Sequence, residues 1–119
     1  MEAYAEGFEI LKAKTELGVS LAQVAEIWCH GSVIRSWLLE LCARMLAKDE
    51  KLDDVRGWVA DTGEGRWTVS EAIALDLSVP VITDSLLRRL RSRETDPFGD
   101  KMLAAMRREF GGHEVRPAD

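Results

Sequence analysis

The chain has 119 residues, 46% of them apolar and 31% charged, the balance of a soluble globular domain and not of a disordered tail. A net charge of -5 removes the bulk electrostatic reason to expect nucleic acid or an anionic membrane as partner, so any anion site has to be a local cluster of cations. No run reaches membrane-spanning length, residues 1–20 lack a signal peptide's basic-then-apolar order, and Cys29 and Cys42 form no pairing framework, which together point to the cytoplasm.

Apolar residues recur with a period near 3.6 along almost the whole chain, and no stretch alternates as a half-buried strand does. The first predicted helix runs from Glu2 to Leu17 with Gly18 as its stop. It starts without an N-cap, Tyr4, Phe8 and Leu11 falling at once at helical spacing, as the interior of a helix would. Ser20-Leu21-Ala22-Gln23 is a capping box that opens a short helix through Trp28. Gly31 breaks the chain, Ser32 starts a longer helix to Lys48, and Leu52 to Val59 forms a further turn or two. Asp61-Thr62-Gly63-Glu64-Gly65-Arg66 reads as a loop, and the second capping box, Thr68-Val69-Ser70-Glu71, begins a helix to Leu77. Pro80 opens a helix to Arg93, and Asp96-Pro97 opens the last one, ended by Gly111 and Gly112. Seven short helices with brief connections predict an all-α fold.

The arginine run Arg88, Arg89, Arg91, Arg93 is the densest basic feature. On a helical wheel Ile82, Leu86 and Leu90 share one face, with Arg89 on its rim, Arg93 nearly within it, and Arg88 and Arg91 pointing away. A cation at the rim of an apolar face can reach a cleft, so Arg89 stands out. In the last helix Met102, Leu103, Met106 and Phe110 form the apolar arc; Arg107 borders it and Arg108 faces solvent. The guanidinium fork suits a phosphate or carboxylate, and His113 adds a further donor just past the glycines. Cys29 and His30 have no other ligands at metal spacing, no nucleophile-base pair stands out, and Gly63-Glu64-Gly65 is too short for a phosphate loop. The helices around Gly31 carry Trp37, Leu38 and Leu39 where a DNA reader needs polar side chains. Trp28, Trp37 and Trp58 are expected in the core, and Trp67 is placed to pin the glycine loop.

In order along the chain, AYAEGFEILKAK, VAEIWCHGSVIRSWLLEL, GWVADTGEGRWTVSEAI, VPVITDSLLRRLRSR and RREFGGH resemble the C-terminal helical domain of decarboxylating 6-phosphogluconate dehydrogenase, closest to its shorter, often NAD-preferring bacterial form. The resemblance implies an all-α, multi-helix domain without the N-terminal Rossmann domain. Residues 1–119 would form the substrate-binding and dimerisation domain, with 111–119 as its C-terminal tail. It further implies oxidation of 6-phosphogluconate at C3 by NAD or NADP without a metal, then loss of CO2 to give ribulose 5-phosphate, a step of gluconate utilization and the pentose phosphate pathway. The family's phosphate-binding arginine falls on Arg89. Its terminal R-x-x-F-G-x-H pattern, which reaches into the neighbouring subunit, falls on Arg107 and His113 and implies a homodimer or tetramer. A possible substrate loop falls on Thr62, Gly63 and Glu64. The long form has lysine and threonine where this chain has Thr62 and Glu64, whereas the short form's G-E-G-R-W-T is matched.

The family's catalytic lysine and glutamate, in K-x-x-x-N-x-x-E, lie upstream of the position equivalent to Met1, as does its cofactor domain. The resemblance therefore implies that the isolated chain is inactive and that Met1 falls inside the helix carrying those groups. A free-standing helical binding or interaction module derived from the same domain is the alternative. A related β-hydroxyacid dehydrogenase is a third, which the terminal R-x-x-F-G-x-H opposes.

Overall fold

A computed structural model describes residues 1–117, so the last two positions of the 111–119 tail lie outside the described residues. Its helices are α1 (Glu2–Ala13), α2 (Leu21–Gly31), α3 (Trp37–Lys48), α4 (Glu64–Ala74), α5 (Pro80–Arg91) and α6 (Phe98–Gly111), with one 3-10 turn at Thr15–Leu17. The all-α class is as expected: there is no strand among the described residues. The chain divides into two compact units, Met1–Arg56 and Gly57–Asp119.

In the first unit α2 and α3 pair as a hairpin because their buried positions fall on one stripe each: Leu21, Ala25 and Cys29 on α2, and Leu39, Ala43 and Leu46 on α3. Ala25 and Ala43 are small enough to let the two backbones approach, and Leu39 fills the centre with no exposed surface. α1 adds Phe8, whose ring meets Trp28 at 5.2 Å between centroids and a tilt of 42°. Burying each Leu or Phe side chain contributes about 1.5–3 kcal/mol. Polar contacts fix the register of these elements. Glu50, just past α3, accepts from the Leu21 amide at 2.5 Å and from the Ser20 hydroxyl at 3.0 Å, so the end of α3 is tied to the start of α2. Tyr4 on α1 donates to the Ile34 carbonyl between α2 and α3 at 2.8 Å.

In the second unit α4 packs on α5, and α5 carries Pro80 in its first turn. Ala72 is its one buried residue among the described ones. The apolar arc of α6 has no cover: Met102, Leu103, Met106 and Phe110 are 46%, 60%, 59% and 96% exposed.

Several helix boundaries differ from expectation for local reasons. The first helix stops at Ala13, and a 3-10 turn leads to Gly18 in the left-handed region at φ 58°. Gly31 stays helical, and the break falls at Ser32–Ser36; the Ser32 hydroxyl donates to the Trp28 carbonyl at 2.7 Å, satisfying the end of α2, and Ser36 caps α3 by accepting from the Leu39 amide at 3.1 Å. Residues 52–59 form no helix. The Asp49 carboxylate takes the Lys51 and Leu52 amides at 3.1 and 2.9 Å, competing with a helical turn, and Leu52 adopts φ 56°. α4 starts at Glu64, four residues before the expected cap: Gly63 at φ 108° opens it, and the Thr68 hydroxyl, instead of capping, back-bonds to the Glu64 carbonyl at 2.8 Å inside the helix. It ends at Ala74 rather than Leu77. α5 ends at Arg91, leaving Arg93 beyond it, and Asp96, at φ 51°, pairs with Lys101 instead of capping α6.

Two tryptophans are not core residues. Trp37 opens α3 with its side chain outward, 72% exposed, because the inner stripe of that helix begins at Leu39. Trp58 is half exposed, its ring lying under the Arg93 guanidinium at 5.3 Å. Trp28 packs against the core as expected.

Candidate functional site

The left-handed conformation of Gly63, φ 108°, lets the chain turn from the 57–62 segment into α4, and Gly63 is its N-cap residue. A Cβ there would lie 3.0 Å from the Trp67 ring, so the indole covers the glycine turn as the sequence suggested. Glu64 follows in the first turn, where a carboxylate is favoured by the helix dipole. The Thr62 hydroxyl donates to Glu64 Oε2. That bond comes first, then the backbone amide of Glu64 and the charge of Arg89; together they hold the Glu64 carboxyl below the usual carboxylate range, against partial burial and the like charge of Asp61.

Arg89 reaches this turn from α5. Its Nη1 lies 3.7 Å, and the Leu86 Cδ1 3.6 Å, from where a Gly65 Cβ would stand. The guanidinium thus lies beside the first turn of α4, at a distance that would be ordinary contact even with a Cβ at Gly65. Arg89 is half-buried and Arg88 exposed, as the wheel placed them. Arg91 is bound to Glu94 at 3.1 Å and to Asp100. Four of the six expected positions, Thr62, Gly63, Glu64 and Arg89, therefore come together.

Arg107 and His113 do not join them through any described contact. Arg107 is exposed and has no ion-pair partner among the described residues, whereas Arg108 lies 3.5 Å from Glu109. Gly112 takes the left-handed conformation at φ 66° and its amide closes α6 on the Arg108 carbonyl at 2.8 Å. The His113 ring folds back over Gly111, its Nε2 3.0 Å from where a Cβ would be. Both groups stand exposed at the end of α6.

Sequence reasoning missed Asp61. Its side chain is only 4% exposed; it accepts from Arg66 Nε, takes the Gly63 amide at 3.3 Å, and faces Arg93 Nη1 at 3.7 Å. The hydrogen bond from Arg66 leads in holding its carboxyl well below the ordinary value. The available signal was an Asp two residues before a helix-starting glycine, the spacing of a side-chain-to-backbone turn.

No group of three or more His, Cys, Asp or Glu among the described residues is placed to hold a metal ion. Burial pushes the Cys29 and Cys42 thiols up, which argues against nucleophilic roles. The described residues include no strand, and so no βαβ turn of the kind that cradles a dinucleotide. No helix among them is long and apolar enough to cross a membrane.

Comparison with known proteins gives a consistent result. The model of the 6-phosphogluconate dehydrogenase C-terminal domain matches residues 1–97. A Bacillus subtilis protein named as a candidate 6-phosphogluconate dehydrogenase, YqeC, is 49% identical over 113 residues, covering 95% of this chain and 38% of that protein. The NAD(+)-dependent, decarboxylating 6-phosphogluconate dehydrogenase of Haloferax volcanii is 43% identical over 120 residues, 100% of this chain and 40% of its own length. Decarboxylating 6-phosphogluconate dehydrogenase 1 of Spinacia oleracea is 31% identical over 126 residues, 100% of this chain and 25% of its own. The chain thus spans about two-fifths or less of these relatives.

Proposed function

Because the chain belongs to the 6-phosphogluconate dehydrogenase family and matches its C-terminal domain, we propose that it supplies the substrate-phosphate contacts and the subunit interface of a cytoplasmic enzyme that oxidatively decarboxylates 6-phosphogluconate. The observation that carries this reading is the placement of Arg89 beside the Thr62-Gly63-Glu64 turn at the start of α4. There a guanidinium and the first turn of a helix serve one anion. Glu64 neutralises Arg89 while the site is empty and offers an acceptor to the hydroxyl groups of a sugar acid when the phosphate arrives.

Arg107 and His113 complete the same site on a second copy of the chain. The uncovered arc of α6 supports that placement, since association through Met106 and Phe110 brings a neighbour's helix end with it. The nicotinamide, NAD or NADP, and the groups that move protons belong to other parts of the enzyme. The isolated chain binds substrate without turning it over.

Calorimetric titration of 6-phosphogluconate into the chain tests the assignment. A charge-assisted contact contributes roughly 1.5–3 kcal/mol, so Arg89→Ala or Arg107→Ala is expected to weaken binding about ten- to hundredfold. Arg88→Ala and Arg108→Ala are expected to change it less than about threefold, the scale of an exposed ion pair. Unchanged affinity in the first two variants, or no binding by the parent chain, would overturn the reading.

A further inference from the structure

The Asp61 carboxylate is the most enclosed charged group of the second unit, yet it sits in a segment without regular structure. Its three neighbours come from three places. Arg66 belongs to the first turn of α4, the Gly63 amide belongs to the turn that precedes it, and Arg93 lies just past α5. Arg93 in turn covers the Trp58 ring, and the Val59 amide donates to the Ser92 hydroxyl at 3.0 Å. Residues 58–63 are thereby fastened at both ends, to the end of α5 and to the start of α4. One residue separates Asp61 from Gly63, and Glu64 follows directly.

We propose that Asp61 is a positioning residue: by clamping Arg66, Arg93 and the Gly63 amide, it sets the turn that holds Glu64 and Thr62 beside Arg89. The inference rests on the reading of Arg89 as a phosphate ligand, and it adds a residue that itself touches no substrate. A turn built on glycine has no intrinsic preference for one conformation, so something outside it has to choose. The charged Asp61 carboxylate makes that choice, because Arg66 and Arg93 hold it in place while it accepts from the Gly63 amide. The charged groups facing Glu64 are Arg89 from α5 and Asp61 from the preceding segment; those facing Asp61 are Arg66 and Arg93.

The test is a carboxyl-carbon NMR titration of Glu64 in the full chain, with the amide protection of α4 and α5 recorded as a control for folding. In the parent chain Glu64 is expected to titrate below the ordinary glutamate value of about 4.3. In Asp61→Asn, which keeps an acceptor for the Gly63 amide but loses the charge that holds both arginines, the midpoint should rise toward that value while α4 and α5 stay protected. That rise requires the loss of the Thr62 and Arg89 contacts to outweigh the removal of a nearby like charge, which alone would lower the midpoint. Should Asp61→Asn fail to fold, Arg66→Gln releases the clamp from the other side and should give the same rise. A Glu64 midpoint unchanged or lowered in the folded variant overturns the proposal. Adding inorganic phosphate separates the two claims. If the parent chain shows no change at Arg89 Nε, the phosphate reading fails, whereas the Glu64 titration still decides the role of Asp61.

Discussion

The two units of this chain are nearly equal in length and entirely different in how they hold together. Met1–Arg56 buries a continuous apolar cluster from three helices and ties its ends with Glu50 and Tyr4. Among the described residues, Gly57–Asp119 contributes Ala72 alone to the buried set and keeps its shape through ion pairs, a cation over a ring and short-range hydrogen bonds. Surface ion pairs contribute little each, and hydrophobic burial is the main favourable term in folding. By leaving Met106 and Phe110 in water, this unit forgoes the stabilisation that their burial would bring. The difference shows that one unit is held by a buried apolar cluster and the other chiefly by polar contacts. The candidate turn of Thr62, Gly63, Glu64 and Arg89 lies in this second, sparsely buried unit.

The contrast can be broken most sharply in the first unit. Leu39→Ala removes the one large side chain with no exposure and is expected to cost about 2–5 kcal/mol, read as a lower denaturation midpoint of that unit. A cost near zero would mean that the α2–α3 stripe is not its core. The turn at α4 gives a smaller effect. Gly63→Ala introduces a side chain at φ 108° and 3.0 Å from the Trp67 ring, and should cost about 1–3 kcal/mol in the second unit. Gly65→Ala, whose Cβ meets only ordinary contacts, should leave thermal unfolding within about 0.5 kcal/mol of the parent. The smallest effect sharpens the comparison by its absence. Phe110→Ala in dilute solution should change stability by less than about 0.5 kcal/mol, while at high concentration it should weaken self-association measured by sedimentation.

Much of the fold was legible because periodicity reports burial, and burial decides the first unit. The helical periods of α2 and α3 and the serine cap of α2 follow from local pattern, and Gly18 marks a stop as expected, though of a 3-10 turn and not of α1. Three of the misplaced boundaries share one cause. Ser, Thr and Asp side chains choose between capping, back-bonding and local turns according to neighbours that sequence does not display, as Thr68, Asp49 and Asp96 show. For the site, the helical wheel separated Arg89 from Arg88, and the half-buried position of Arg89 agrees with it. Asp61 was not legible, because a carboxylate in a polar loop reads as solvent-exposed until its three partners are placed around it. Trp37 and Trp58 were misread for the converse reason: large apolar side chains were assigned to a core that the second unit does not have and that α3 fills from its other face.

Native-state hydrogen exchange, followed as a function of protein concentration, tests most directly the claim that the second unit is completed by a second copy. Amides of α2 and α3 are expected to show protection independent of concentration, because the first unit carries its own core. Those of α6 are expected to exchange freely in dilute solution and to become protected as the chain associates, with Phe110→Ala delaying that gain. Protection of α6 that is high and constant down to the dilute monomer would contradict the account.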